Sequence, residues 1–238
     1  MTELIFREDA YARECAARVV QADERGVLLD RTVFYAASGG QPGDAGFLRF
    51  EGGELAVADA RKAEGDCVLH IVAAGAPLPQ PGSALTAVLD WERRYRHMRM
   101  HTTLHLLCAA VPGAVTGGQI AADKSRLDFD VPAAALDKDE IEAKLNALIQ
   151  ADHPVSFSWI SDEEMADRPE LVRTMSVKPP TGSGRVRLVR IGPEEAPVDL
   201  QPCGGTHVRS TGEIGAVAIA KIENKGKQNR RVVVAFKE

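Results

Sequence analysis

No apolar run in this 238-residue chain approaches the roughly eighteen residues of a membrane span, so no transmembrane helix is expected. The first residues, Met1-Thr2-Glu3-Leu4-Ile5-Phe6-Arg7-Glu8-Asp9, contain no basic region followed by an apolar one, and no export leader is read there. Cysteine is scarce: Cys15, Cys67, Cys108 and Cys203 are unevenly spaced and do not make a disulfide framework. A reducing, cytoplasmic setting is therefore expected. An excess of positive charge is also missing. With 29 Lys and Arg against 34 Asp and Glu, the net charge of -5 argues against holding nucleic acid by bulk electrostatics alone and shifts attention to local clusters. Internal repeats and low-complexity tracts are absent too. What remains is a hydrophobic fraction of 45%, enough to bury a core in one large domain or two small ones.

Residues 1–90 read as short strands separated by glycine and charged turns: 17–20, 27–30, 32–35, 55–57 and 67–72, then a Pro- and Gly-rich loop at 75–82 and a last strand at 85–89. They predict a small β-barrel, with the domain boundary near Asp90. Residues 91–238 read as an α+β domain, so the fold class expected is α+β. From Trp91 the pattern turns helical, with Met100, Leu104, Leu107 and Cys108 as a buried stripe, and it stops before Pro112-Gly113. Thr116-Gly117-Gly118-Gln119-Ile120 reads as a tight loop and 126–131 as a strand. Asp137 opens a second helix with Ile141, Leu145, Leu148 and Ile149 on its apolar side. A strand over 155–160, a short helix from the capping box Ser161-Asp162-Glu163-Glu164, a flexible loop over 178–185 and strands over 185–191, 215–222 and 231–236 complete the domain.

The chain is organised around His101-Thr102-Thr103-Leu104-His105. Two histidines four apart on a helix project from one face, so both imidazoles can reach one metal ion. Cys203-Gly204-Gly205-Thr206-His207 offers a thiolate and an imidazole at the same separation. Three of the six histidines and one of the four cysteines thus fall in two matched motifs. His101, His105, Cys203 and His207 select Zn2+, because calcium and magnesium prefer oxygen donors. His70, His97 and His153, with Cys15, Cys67 and Cys108, lack such spacing and read as structural. Four donors leave both a structural and a catalytic zinc open. The helix is not a peptidase motif, since Thr102 stands where His-Glu-x-x-His needs glutamate.

Two further features bear on partners. Arg93, Arg94, Arg96 and Arg99 lead into the histidine helix, and Lys225, Lys227, Arg230 and Arg231 cluster near the C-terminus. The stretch 34–46, Phe-Tyr-Ala-Ala-Ser-Gly-Gly-Gln-Pro-Gly-Asp-Ala-Gly, is either a packed turn or a phosphate cradle, and physics favours the turn.

The histidine motif, the glycine stretch, Cys203-Gly-Gly-Thr-His-Val208 and Thr211-Gly-Glu-Ile-Gly215 together resemble the editing domain of alanyl-tRNA synthetases, and more closely the free-standing AlaX proteins of medium length. The resemblance spans nearly the whole chain. It implies an editing domain of the threonyl/alanyl-tRNA synthetase second-additional-domain type, behind the barrel, that hydrolyses serine and secondarily glycine from mischarged tRNA(Ala). Such a site must require the hydroxyl that the synthetase's alanine pocket fails to reject. Thr102 is the candidate reader of that hydroxyl, with the alternative that it bonds its own helix backbone, and Gln119 is the second candidate facing the pocket. By the same resemblance the acceptor end would enter between the domains. Ser38, Gly39, Gly40 and Gln41, with Arg96, Arg99, Lys178, Arg185, Lys225, Lys227 and Arg230, are the candidate tRNA contacts. The family often carries proline and a third glycine where this chain has Ala36 and Ser38, so a positive φ at Ser38 would strain the loop. Membrane and DNA are not expected partners, and monomer and homodimer both stay open. The alternatives are a zinc-stabilised tRNA-binding module without turnover and a deacylase for a different aminoacyl-tRNA.

Overall fold

The structure, a computed structural model, describes residues 2–132, 136–174 and 184–237. It divides into two compact units, Met1–His97 and Met98–Glu238. No described helix is long and apolar enough to cross a membrane.

The first unit contains β1 (Glu3–Leu4), β2 (Glu14–Asp23), β3 (Gly26–Leu29), β4 (Arg31–Thr32), β5 (Gly46–Phe50), β6 (Gly53–Ala63), β7 (Cys67–Val72) and β8 (Ala84–Leu89). Six of these strands close a barrel in the order β2-β3-β7-β6-β5-β8, while β1 and β4 form a small parallel pair. Strand alternation explains the closure: Ala17 and Val19 on β2 and Leu85, Ala87 and Leu89 on β8 point inward, while Arg18 and Val20 point out. With Val27, Leu29, Phe34, Leu48, Leu55 and Val57 they fill one core. The strand expected over 32–35 is corrected. Only Thr32 is paired as a strand, and Val33 to Tyr35 cross the core irregularly, with the Val33 carbonyl and the Tyr35 amide bonded to the Arg94 and Asp44 side chains instead of to a ladder.

The glycine stretch makes a two-residue hairpin. Ser38 and Gln41 exchange both backbone bonds, at 3.1 and 2.9 Å, and the central Gly39 and Gly40 have φ of 55° and 82°, the primed-turn geometry that residues with a Cβ resist. Ser38 is not in the left-handed region, so the strain expected there does not arise. Asp44 fixes the far end of the stretch: its carboxylate accepts from the Tyr35 amide and pairs with the fully buried Arg94. Arg94 also donates to the carbonyls of Val33 and Ala10, at 2.7 and 3.0 Å.

Helix α1 (Trp91–Ala110) starts after β8, where the side chain of Asp90 accepts from the Arg93 amide as an N-cap. The division between the compact units falls inside this helix. The second unit adds β9 (Ala114–Gln119), β10 (Lys124–Asp130), α2 (Lys138–Gln150), β11 (Val155–Ser161), α3 (Asp162–Ala166), β12 (Arg185–Ile191), β13 (Asp199–Pro202), β14 (Val217–Asn224) and β15 (Asn229–Phe236). Two antiparallel sheets result, β14-β15-β10-β9 and β11-β12-β13.

Helix α2 is capped by Asp137, whose carboxylate accepts from the amides of Asp139 and Glu140, and it buries Ile141, Leu145 and Ile149. Asn146 and Glu142 tie it to β14 through the Val217 carbonyl and the Ile219 amide. The capping box at Ser161 and Glu164 opens α3. The loop expected at 116–120 is corrected: these glycines lie in β9, and a side chain at Gly118 would sit 2.8 Å from Leu127 on the neighbouring strand, so the close approach explains the residue. Most of the loop expected at 178–185 lies outside the described residues.

Candidate metal centre

Two elements of the second unit carry the centre. Helix α1 supplies His101 and His105, one turn apart, and the turn that leaves β13 supplies Cys203 and His207. His101 and His105 are buried, in a stretch of the helix where Met98, Met100, Leu106 and Leu107 are fully buried. One ligand atom from each of the four side chains falls within 4.8 Å of every other. The Cys203 sulfur is 3.4 Å from Nε2 of His101 and 3.3 Å from Nε2 of His207. A tetrahedral zinc with bonds of about 2.0–2.3 Å places its donors about 3.5 Å apart, so the set fits the metal in both chemistry and span.

The outer ring nitrogens of His105 and His207 are engaged by the protein. Nδ1 of His105 is 2.8 Å from the buried Asp199 carboxylate, and the Gln201 amide donates to the same carboxylate at 2.8 Å. Nδ1 of His207 is 3.1 Å from the Thr102 hydroxyl. Such outer partners fix ring orientation and leave Nε2 facing the common centre. Arg187 holds the intervening turn, donating to the carbonyls of Cys203 and Gly205 at 3.1 Å each, while the Gly205 amide points to the Cys203 sulfur at 3.4 Å. Neither Gly204 nor Gly205 takes a positive φ, so the tight turn is not made by left-handed glycine.

Protonation follows from this packing. Burial raises the Cys203 thiol, but the charges of His101 and His207 and the bonds from His101 and His105 outweigh it and hold the group well below the ordinary thiol range. His207 is pushed well below the usual imidazole value by burial and by His101. Burial also opposes charge on His105, yet the bonds to Asp199 and Cys203 carry it up to about 10. A thiolate and a neutral imidazole are what a zinc ion binds, and His105 would give up its proton on loading.

Thr102 has no exposed surface. Its hydroxyl donates to the Met98 carbonyl at 3.0 Å and lies 3.1 Å from His207 and 3.3 Å from the Val208 amide. These bonds engage the hydroxyl's one proton and both lone pairs within the protein, and one of them orients His207. Gln119 ends β9 on the exposed side, and its amide oxygen accepts from Arg126 at 3.4 Å.

The candidate tRNA contacts separate into two kinds. Several are occupied within the protein. Arg99 donates to the Ile214 carbonyl and lies 4.0 Å from the Phe236 ring. Arg230 is buried and bonds the carbonyls of Gly226, Lys227 and Asn229 with the side chain of Asn224, stitching the β14–β15 turn. Gln41 is buried as well. In the structure these three side chains are engaged or buried within the protein. Ser38 and Arg96 are half-buried, and Gly39, Gly40, Arg185, Lys225 and Lys227 are exposed. Lys225 pairs with Glu223 at 3.3 Å. Lys178 lies outside the described residues.

Comparison with known proteins agrees with this geometry. The family described as the threonyl and alanyl tRNA synthetase second additional domain matches residues 186–233, which include Cys203 and His207, and class II (A) tRNA synthetases match residues 6–93. The alanyl-tRNA editing protein AlaX-M of Methanosarcina acetivorans is 40% identical, covering 98% of both chains, and that of Saccharolobus solfataricus is 34% identical over the full length of both. The chain belongs to the AlaX-M family. An alanine–tRNA ligase of Pyrobaculum neutrophilum is 39% identical over 93% of this chain and 25% of its own, so the AlaX-M architecture recurs as a segment of a longer protein. The outer contacts Asp199, Gln201 and Arg187 escaped the sequence reading. A signal existed: Asp199, Gln201 and Cys203 alternate along one short segment and so face one way.

Proposed function

We propose that this AlaX-M chain is a zinc-dependent aminoacyl-tRNA deacylase that releases serine, and secondarily glycine, from mischarged tRNA(Ala). One observation carries the reading: in a chain of an editing family, His101, His105, Cys203 and His207 converge with zinc-type donors whose outer nitrogens are already held by Asp199 and Thr102. The relatives named alanyl-tRNA editing proteins support the substrate class. Zinc bound there would supply a Lewis acid that polarises the ester carbonyl or makes a water nucleophilic near neutral pH. The chain's own part is orientation. Asp199 and Gln201 fix His105, Thr102 fixes His207, and Arg187 fixes the turn bearing Cys203, so the donors are set before substrate arrives. Hydrolysis of an aminoacyl ester runs downhill and needs no ATP. The thiolate donor suits a reducing compartment, and we place the protein in the cytoplasm.

A specific observation supports the second reading, a tRNA-binding module with a structural metal: four protein donors are enough to complete a tetrahedron. Turnover separates the two. Zinc-loaded protein and a Cys203→Ala control are assayed on seryl-, glycyl- and alanyl-tRNA bearing the tRNA(Ala) acceptor stem. Rapid serine release that spares alanine and is lost in the control supports the deacylase. No release from any of the three, with one equivalent of zinc still bound, overturns it in favour of the binding module or a different aminoacyl ester.

A further inference from the structure

The sheet that delivers Cys203 has two unlike faces. Ile160, Val186, Leu188 and Leu200 lie on one and pack with Met165, Leu171 and Val172 as a small core. By strand alternation and register, Phe157, Trp159, Arg185, Arg187, Gln201 and Asp199 lie on the other. The inner end of this second face is the metal centre, where Asp199 and Gln201 engage His105 and Arg187 holds the Cys203 turn. Its outer end is the edge strand β11.

There the surface changes character. Phe157 is 38% exposed, among the few large apolar side chains that open to solvent, and Trp159 is half-buried beside it. Each carries a cation: the Arg187 guanidinium is 4.5 Å from the Phe157 ring centre and that of Arg185 is 4.2 Å from Trp159. An edge strand usually avoids exposed aromatics, because flat apolar edges invite aggregation. Arg187 is buried beside Phe157, whereas Arg185 is exposed beside Trp159, so two rings and one exposed guanidinium make a surface that is apolar and positive in a chain whose net charge is -5. Those properties match unpaired nucleotides, whose bases stack on aromatic and guanidinium planes while their phosphates need cations.

We propose that Phe157, Trp159 and Arg185 form the platform on which the unpaired 3′-terminal nucleotides of the aminoacylated RNA stack, on the same sheet face as the metal centre. This rests on the deacylase reading for the substrate, but its test does not require turnover. Charge complementarity selects RNA over an apolar peptide, and the shared sheet face selects the end that bears the ester.

The protein has two tryptophans, so Trp91→Phe leaves Trp159 as the sole indole reporter. Zinc-loaded full-length protein of that background is titrated with uncharged tRNA, with inorganic polyphosphate as the anion control. Quenching by tRNA but not by polyphosphate is expected. Phe157→Ala, at an exposed position, is expected to raise both Kd for tRNA and KM for seryl-tRNA about tenfold or more, with kcat within about twofold and zinc still at one equivalent. Unchanged Trp159 fluorescence at tRNA concentrations that saturate binding, an equal response to polyphosphate, or an unaltered Kd in Phe157→Ala would overturn the platform. If the quench and the Phe157 effect on Kd appear while no ester is cleaved, the platform stands and the deacylase reading falls.

Discussion

His70 in the barrel and His105 in the second unit are both buried, yet one is closed off in the core and the other belongs to the candidate metal cluster. His70 has both ring nitrogens matched by protein, Nδ1 2.9 Å from the Val27 carbonyl and Nε2 2.8 Å from the Thr32 hydroxyl. His105 has only Nδ1 matched by an oxygen acceptor, while Nε2 is the atom that faces the other three donors. The buried pair Asp44 and Arg94 repeats the first pattern, with the guanidinium shared among a carboxylate and two carbonyls. Burial of a polar group therefore does not mark a site; incomplete hydrogen bonding aimed at a shared point does.

The largest expected effect breaks the closed side of this comparison. Asp44→Ala leaves the Arg94 charge fully buried with carbonyl partners alone, and removal of one member of such a pair costs about 3–5 kcal/mol. Denaturant unfolding of the barrel unit should move accordingly, with the four metal donors untouched. A loss below about 1 kcal/mol would mean that water or another cation partner compensates.

Acid sharpens the contrast next. Burial drives the pKa of His70 down to about 4, with the Val27 bond opposing weakly, against 6.5 for the free imidazole. The unfolded chain therefore binds a proton that the folded chain refuses between those values. Stability from this group is fully present above pH 6.5 and is lost as pH falls towards about 4, a loss on the order of 3 kcal/mol. His70→Gln, which cannot take up that proton, should flatten this part of the stability curve measured on the barrel. An unchanged slope would place the acid sensitivity in other groups.

Asp199→Asn tests the open side. It keeps the shape beside His105 but removes the charge that holds the ring, and outer contacts of this kind are worth about 10–100-fold in metal affinity. Competition with a chelator reads that change directly. Equal affinity in the variant would show that packing alone orients His105.

The parts of this molecule that were legible in the sequence are those set by short-range pattern. His101 and His105 lie four apart on a helix, Asp137 and Ser161 cap the helices they precede, and Arg185 to Ile191 reads and folds as one strand. What was not legible depended on a distant chain. Gly117 and Gly118 looked like a loop because their pairing with β10, and the close passage of Leu127 at Gly118, lie outside the local window. β13 is only four residues long and ends in proline, so it carried too little periodicity to read, and Asp199 and Gln201 were missed with it. The internal partners of Arg99 and Arg230, two of the candidate tRNA contacts, were not legible either, because each meets backbone carbonyls that only folding brings near. Spacing picked out the four residues that converge; the groups that hold them in place come from packing.

The smallest effect separates two roles for Thr102. Thr102→Val keeps the volume of the side chain but removes the hydroxyl, leaving His207 Nδ1 and the Val208 amide without that acceptor. If the hydroxyl positions His207, zinc affinity should fall by about tenfold, the low end for an outer contact, while preference for seryl- over alanyl-tRNA is retained. Thr102→Ser, which keeps the oxygen, should restore the affinity. If the hydroxyl instead reads the substrate, Thr102→Val leaves zinc binding unchanged and lets alanyl-tRNA be cleaved, since the site no longer rewards the serine hydroxyl. The ratio of kcat/KM for the two substrates, measured beside zinc affinity in the same variants, decides between them. The bond at 3.1 Å and the complete burial of Thr102 favour the first result.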